Sequence, residues 1–193
     1  MLLRDGALTV RPLRDGDADT LLQWLSDPRV LEFYEGRDVH FTPEAIREDF
    51  FDGELSRRII EWEGAPAGYL QYYPLDEEGR AEYQFDGPEK KLWAADQFLG
   101  EPSLWGKGLG RRFLRLLLSH LFEEAGAEAV LLDPHAGNER AIRCYERCGF
   151  RKEKLLPAHE LHEGEWRDCL LMVCRKTSFP QTNIPERRSD YAK

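Results

Sequence analysis

The chain lacks most of what would place a protein in a membrane, on nucleic acid or under a disulfide framework. No apolar run among its 193 residues approaches the ~20 that span a bilayer. The first residues, Met1-Leu2-Leu3-Arg4-Asp5, do not carry the apolar stretch of a secretory signal. Positive charge is in short supply: 27 Lys and Arg against 36 Asp and Glu give a formal charge of −9. A general binder of nucleic acid or anionic lipid needs a basic surface instead. Only four cysteines occur, Cys144, Cys148, Cys169 and Cys174, with no CxxC spacing, which is too sparse for a disulfide scaffold. These deficits predict a reduced, cytoplasmic protein that is neither a general nucleic-acid nor a membrane binder, and the negative balance is compatible with a cationic partner or substrate. What is present suffices for a core. The 41% hydrophobic and 11% aromatic content excludes global disorder. A chain of this size buries roughly 70% of the surface its unfolded form exposes.

The patterning predicts one domain over residues 1–176 and a flexible C-terminal tail over 177–193. A strand is expected at Leu8 to Leu13 and a helix from Asp15 to Ser26, capped by Asp15 or Asp17 and ended by Asp27-Pro28. A second helix runs from Pro43 to Phe51 with Thr42 as its cap. A hairpin joins Arg57–Trp62 to Ala67–Tyr73 across Glu63-Gly64. Residues 76 to 91 are strongly charged and read as a loop. Leu92 to Leu99 reads as a strand, Arg111 to Glu124 as an amphipathic helix, Glu128 to Asp133 as a buried strand, and Asn138 to Arg147 as a helix stopped by Gly149. A further strand starts at Phe150, and Trp166 to Cys174 is a last strand. This order predicts an α/β fold: a mixed, mostly antiparallel sheet with helices on both faces.

The sharpest local feature is Trp105-Gly106-Lys107-Gly108-Leu109-Gly110 before a helix. Glycines permit positive φ and let backbone N–H groups approach an anion, and the helix start adds partial positive charge. The loop is neither a Walker loop nor a dinucleotide fingerprint, since no Gly-Lys-Ser/Thr closes it and the G-x-G-x-x-G spacing is absent. Further on, Asn138-Glu139-Arg140-Ala141-Ile142-Arg143-Cys144-Tyr145 sets Asn138 and Tyr145 on one helix face. Together the two segments resemble the GNAT superfamily of acyl-CoA-dependent N-acetyltransferases. Gly108 and Gly110 match its cofactor loop, and Trp105 stands where that family carries Gln or Arg. The runs Ala95–Pro102 and Leu132-Asp133-Pro134, with the two motifs, resemble the aminoglycoside 6′-N-acetyltransferases within it.

That resemblance implies the GNAT fold, acetyl-CoA as co-substrate and a polycationic aminosugar as acceptor, in a monomer or homodimer. Acetyl-CoA is expected at Phe98, Leu99, Trp105 to Gly110, Asn138 and Tyr145, with the pyrophosphate over Gly106 to Gly110. An acceptor ammonium must lose a proton before it attacks a thioester, and a carboxylate beside it takes that proton. Asp96 is the expected base, Asp133 a second carboxylate that holds substrate, and Tyr145 either the acid for the departing thiolate or a residue that only holds its sulfur in place. Glu82, Tyr83 and Asp86 complete the expected acceptor site, because aromatic faces beside carboxylates suit ammonium-bearing sugars. The other readings are a different amine acceptor (a polyamine, a siderophore precursor or a protein N-terminus) or a CoA-binding sensor without turnover. A covalent route through Cys144 or Cys148 is disfavoured, since neither has a local histidine. His159 and His162 have H-x-x-H spacing that could bind zinc, but the flanking Pro157 and Gly164 point to a loop, so surface or acceptor-loop roles are expected and no metal site.

Overall fold

The computed structural model describes residues 2–53 and 55–179. Eight strands form one sheet: β1 (Leu3–Asp5), β2 (Leu8–Pro12), β3 (Ser56–Trp62), β4 (Ala65–Leu75), β5 (Leu92–Leu99), β6 (Ala129–Leu132), β7 (Arg151–His162) and β8 (Glu165–Arg175). Their order is β1-β2-β3-β4-β5-β6-β8-β7. Every neighbouring pair is antiparallel except β5 and β6. Parallel neighbours need a crossover, and here it is the helix α5 (Leu109–Glu123), placed in the chain between them. The remaining helices are α1 (Ala18–Trp24), α2 (Pro28–Leu31), α3 (Pro43–Phe50), α4 (Glu77–Glu82) and α6 (Glu139–Glu146). The expected mixed sheet covered on both faces is therefore observed.

Three apolar clusters cover the sheet. On one face Leu114, Leu117, Leu118 and Leu121 of α5 pack with Ile142 of α6 onto Val10, Ile60, Leu70 and Val130. The opposite face is covered in two separate patches. Leu21 and Trp24 of α1 and Ile46 and Phe50 of α3 bury Ile59, Tyr69 and Phe98. Tyr83 and Phe85 lie over Leu92, Ala94, Leu131 and Leu171. Each patch removes several large side chains from water at about 1.5–3 kcal/mol apiece. Between the two patches part of β5, around Asp96, is left without a hydrophobic cover.

Several expectations are corrected. The helix expected over Asp15 to Ser26 is a 3-10 turn, Asp15–Asp17, followed by α1, which ends at Trp24. Asp17 does not cap α1 with its side chain, because its carboxylate takes the Arg11 guanidinium fork at 2.7 Å on both oxygens. Asp27-Pro28 ends one helix and starts α2, with the Asp27 carboxylate accepting the Arg29 N–H at 2.9 Å. The charged stretch read as a loop contains α4, whose first turn is capped by Asp76 accepting from the Gly79 N–H at 2.9 Å. Glu77 and Glu78 in that turn suit the positive end of the helix. His159 and His162 are strand residues of β7, and the turn falls at Glu163-Gly164. Where the expected tail begins, Lys176–Ser178 form a 3-10 turn, and the Phe179 ring lies 5.3 Å from that of Phe122. Residues 180–193 lie outside the described residues. Among the described residues no helix is long and apolar enough to cross a membrane.

Candidate active site

β5 and β6 pair only from Leu92 to Ala94 against Ala129 to Leu131, and then part. The opening is a cleft of about 840 Å³ that reaches both faces of the sheet. Its β5 edge follows from register. The Gly100 N–H bonds the Ala67 carbonyl at 3.0 Å. Bonding along an antiparallel pair alternates, so the backbone groups of Phe98 face β4 while those of Leu99 face the cleft. The Leu99 carbonyl is held by the Trp105 indole N–H at 2.9 Å, which leaves the Leu99 N–H as the donor on that edge. Of Phe98 and Leu99, both expected at the cofactor, Leu99 is thus the one whose backbone N–H is presented to the cleft. The Phe98 side chain is buried, its ring 5.6 Å from that of Tyr69.

One end of the cleft is built from backbone and cations. Gly106 and Gly108 adopt φ of 74° and 80°, and a Cβ on either would meet no heavy atom within 4 Å. Gly108 is the N-cap of α5, so the first N–H groups of the helix open onto the cleft. Gly110 has a different reason to be glycine: its Cβ would lie 3.2 Å from Cys144 Sγ, where α5 meets α6. Leu109 points into the core. Trp105, in the position the resemblance gives to Gln or Arg, has Arg140 stacked on its ring at 4.0 Å. Lys107, Arg111, Arg143 and Arg147 also line this end; the helix pattern did not single out these arginines, since exposed cations on a helix look like an ordinary solvated face. Asn138 Oδ1 accepts the Ala141 N–H at 3.1 Å as the cap of α6. Only its amide N–H groups remain for a ligand.

The other end is acidic. Asp96 sits mid-strand on β5, not at its end, and Gln71 of β4 donates to its Oδ2 at 2.7 Å. Burial pushes the Asp96 carboxyl up to about 6, and the Asp133 charge adds to this against the Gln71 hydrogen bond. Asp133 follows β6 and accepts from the Tyr83 hydroxyl at 3.5 Å. It also pairs with His159 Nε2 at 3.3 Å, and that contact raises the histidine pKa. Tyr73 and Tyr83 hydroxyls stand 3.4 Å apart beside them. Glu82 lines the cleft, as expected. Asp86 does not: its exposed carboxylate pairs with Lys154 at 3.1 Å on the outer surface. His159 joins the acidic end from β7; Glu35 and Glu160 also join it and were not anticipated, because they arrive from the segment after α2 and from β7.

Tyr145 approaches from the α6 side. Its hydroxyl accepts from Gln97 Nε2 at 2.6 Å, and burial keeps its pKa well above the ordinary phenol range. Successive side chains of a strand point to opposite faces. Asp96 and Gln97 therefore present the carboxylate and the tyrosine partner to opposite mouths of one opening.

Residues 14–157 match the family model of the acetyltransferase (GNAT) domain, and the chain belongs to that family. It is 29% identical over 152 residues to aminoglycoside N(6')-acetyltransferase type 1 of Klebsiella pneumoniae, covering 76% of this chain and 75% of that protein. A shorter likeness, 33% identical over 94 residues, relates it to spermine/spermidine N(1)-acetyltransferase of Bacillus subtilis, covering 48% of this chain and 57% of that one. Among solved structures, aminoglycoside acetyltransferase AAC(6')-Ib in complex with coenzyme A aligns with a TM-score of 0.73 at 25% identity, over 89% of this chain and 96% of that one.

Proposed function

We propose that this acetyltransferase moves the acetyl group of acetyl-CoA to a primary amine of an aminoglycoside-like polycation, by direct attack with both substrates in the cleft. The observation that carries the reading is the bipolar opening between β5 and β6, with an anion-accepting end built by α5 and an acidic end around Asp96 and Asp133. The residues fit acetyl-CoA: Gly106 and Gly108 leave room for close approach, and α5 begins there. Trp105, Lys107, Leu109 and Gly110 complete that loop, and the Asn138 amide is free to bond the pantetheine arm. When bound, acetyl-CoA supplies the activated acetyl group.

The residues of the chain do the rest. The Leu99 N–H donates toward the thioester oxygen, where negative charge grows in the transition state. Asp96, with its pKa pushed up to about 6, is mostly ionised at neutral pH and basic enough to take the proton of the acceptor ammonium. Tyr145 keeps its proton at that pH; Gln97 donates to its oxygen, so the O–H is left for the departing thiolate. Asp133, Glu82 and Tyr83 hold the other ammonium groups of the substrate. All four cysteines are free thiols, which suits the cytoplasm.

The acidic end reads charge, not sugar, and the likeness to the spermine/spermidine enzyme keeps a polyamine as the second acceptor reading. The test is release of free thiol from acetyl-CoA against a panel of aminoglycosides, polyamines and mono-amines. Turnover of aminoglycosides with the highest kcat/KM is expected. Preference for spermidine selects the second reading, and no turnover with any amine overturns both.

A further inference from the structure

Beside the acceptor end lies a cluster that the acetyl-transfer reading does not use. His135 Nε2 stands 3.0 Å from Glu160 Oε2, and Cys169 Sγ is 3.8 Å from the same oxygen. One ligand atom from each of the three residues lies within 4.8 Å of the others. His162 lies beside the group, its ring 4.4 Å from that of His135 and its Nδ1 3.8 Å from Glu160 Oε1. That Nδ1 is buried with no hydrogen-bond partner, on a residue only 3% exposed. A buried polar atom without a partner costs about 1–3 kcal/mol. Protein–protein contacts leave this one unsatisfied.

The backbone sets the group in place. An isolated antiparallel bridge puts His135 directly opposite Cys169, so their side chains share a face. The register of β7 against β8 shifts between Leu156 and Glu160, with Ala158 at φ 48° and its N–H held by Asp168 at 2.9 Å. Such a bulge re-aims the side chains beyond it. Here His159 meets Asp133 while Glu160 meets His135. His162 is fixed from its far side, where Nε2 lies 3.1 Å from the Glu32 carbonyl. With Nε2–H donating to that carbonyl, Nδ1 is left as a lone pair, the form in which imidazole binds a metal.

We propose that His135, Glu160, His162 and Cys169 form a zinc site. Two imidazoles, one carboxylate and one thiolate are a donor set for zinc rather than for calcium or magnesium, which take oxygen ligands. A tetrahedral zinc with bonds of about 2.0–2.3 Å holds its ligand atoms about 3.3–3.8 Å apart, so the four side chains draw together around the ion when it binds. The cation replaces the thiol proton of Cys169, which leaves to solvent, and no electron transfer is involved. His135 and Glu160 also line the cleft. On the acceptor reading above, a bound zinc therefore sets positive charge against the acidic end and weakens a polycation there.

The test needs neither acetyl-CoA nor acceptor, so its outcome is separate from that reading. Chelator-treated full-length protein is titrated with zinc by calorimetry and with cobalt(II) by absorption. One saturable zinc site and a thiolate-to-cobalt charge-transfer band are expected. Cys169→Ser should abolish the band while Cys144→Ser keeps it, and His162→Gln should lower zinc affinity at least about tenfold. If Cys169→Ser does not fold, Glu160→Gln, changed at the partly exposed member, should also lose about tenfold or more. A cobalt band that survives Cys169→Ser, zinc affinity unchanged in His162→Gln or Glu160→Gln, or no saturable binding overturns the proposal and leaves a hydrogen-bonded cluster only.

Discussion

The two ends of the cleft are built by different means. At the α5 end the donors are backbone groups, exposed because Gly106 and Gly108 take positive φ and the helix starts there. The other end is lined by side chains from separate strands and loops, among them Gln71, Asp96, Asp133 and His159. A backbone cradle depends on conformation, so it fails when φ is forced. A side-chain site depends on charge and hydrogen bonding, so it fails when a carboxylate becomes an amide of the same size.

The largest effect is expected from Asp96→Asn, which should lower kcat by about 10²–10⁴, with partial recovery at high pH where free amine is supplied. Asp133→Asn should act mainly through KM, since its attraction is present in ground and transition states alike. Steady-state kinetics over a pH series separates them; wild-type kcat with only a raised KM in Asp96→Asn would make Asp96 a clamp. In the parent enzyme kcat/KM should fall as pH drops below about 6, where Asp96 becomes protonated.

The same residue gives a stability test of opposite sign. Burial raises the Asp96 pKa above its unfolded value, so the folded state favours the protonated form. Its contribution is fully present below the unfolded pKa near 4 and is lost as pH rises through about 6. Asp96→Asn should therefore raise the thermal midpoint at pH 8 by an amount corresponding to about 2–3 kcal/mol. The gain should shrink toward pH 4. A variant that is no more stable at pH 8 than the parent would mean that the carboxylate is better solvated than its surroundings imply.

At the backbone end, Gly108→Val forces a β-branched residue to φ 80° and fills the open space above the loop. Such a conformation costs about 1–2 kcal/mol for a residue with a Cβ. Acetyl-CoA affinity measured by calorimetry should drop at least about tenfold, while the acceptor KM changes little. Unchanged affinity would move the pyrophosphate elsewhere. The smallest effect concerns screening. Exposed charge is screened over about 8 Å at physiological ionic strength, so added salt should raise KM for a tri-amine more than for a mono-amine. Equal responses would remove the electrostatic argument for the acidic end.

The contrast between the two ends is also a contrast in what local sequence reveals. Trp105 to Gly110 is a contiguous signal, because one turn and one helix start need glycines and a cap at fixed spacing. The same is true of Asn138, whose side chain caps α6. Asp96 and Tyr145 stood out through the motifs around them. Glu35, Gln71 and Glu160 did not, since each belongs to a segment with its own periodicity and no local feature tells that it turns toward the cleft. Asp86 shows the reverse error: it sits in the acidic stretch that attracted attention, yet it faces outward to Lys154. Helix α4 was hidden because a short turn rich in glutamate and glycine has no apolar stripe to betray it.

The sequence by itself determined the fold class, the anion-accepting loop, the family resemblance and the negative balance of charge. Each of these is carried by composition or by residues close together in the chain, where spacing translates directly into local geometry. Tertiary structure alone decided where β5 leaves β6, which carboxylates share the opening and which face outward. It also decided that His162 of β7 lies across from His135 with a nitrogen unpaired. Strand register, a bulge at Ala158 and the packing of α1–α3 against one face set those outcomes. They depend on contacts between residues far apart in the chain, and a one-residue change of register turns a side chain to the other face.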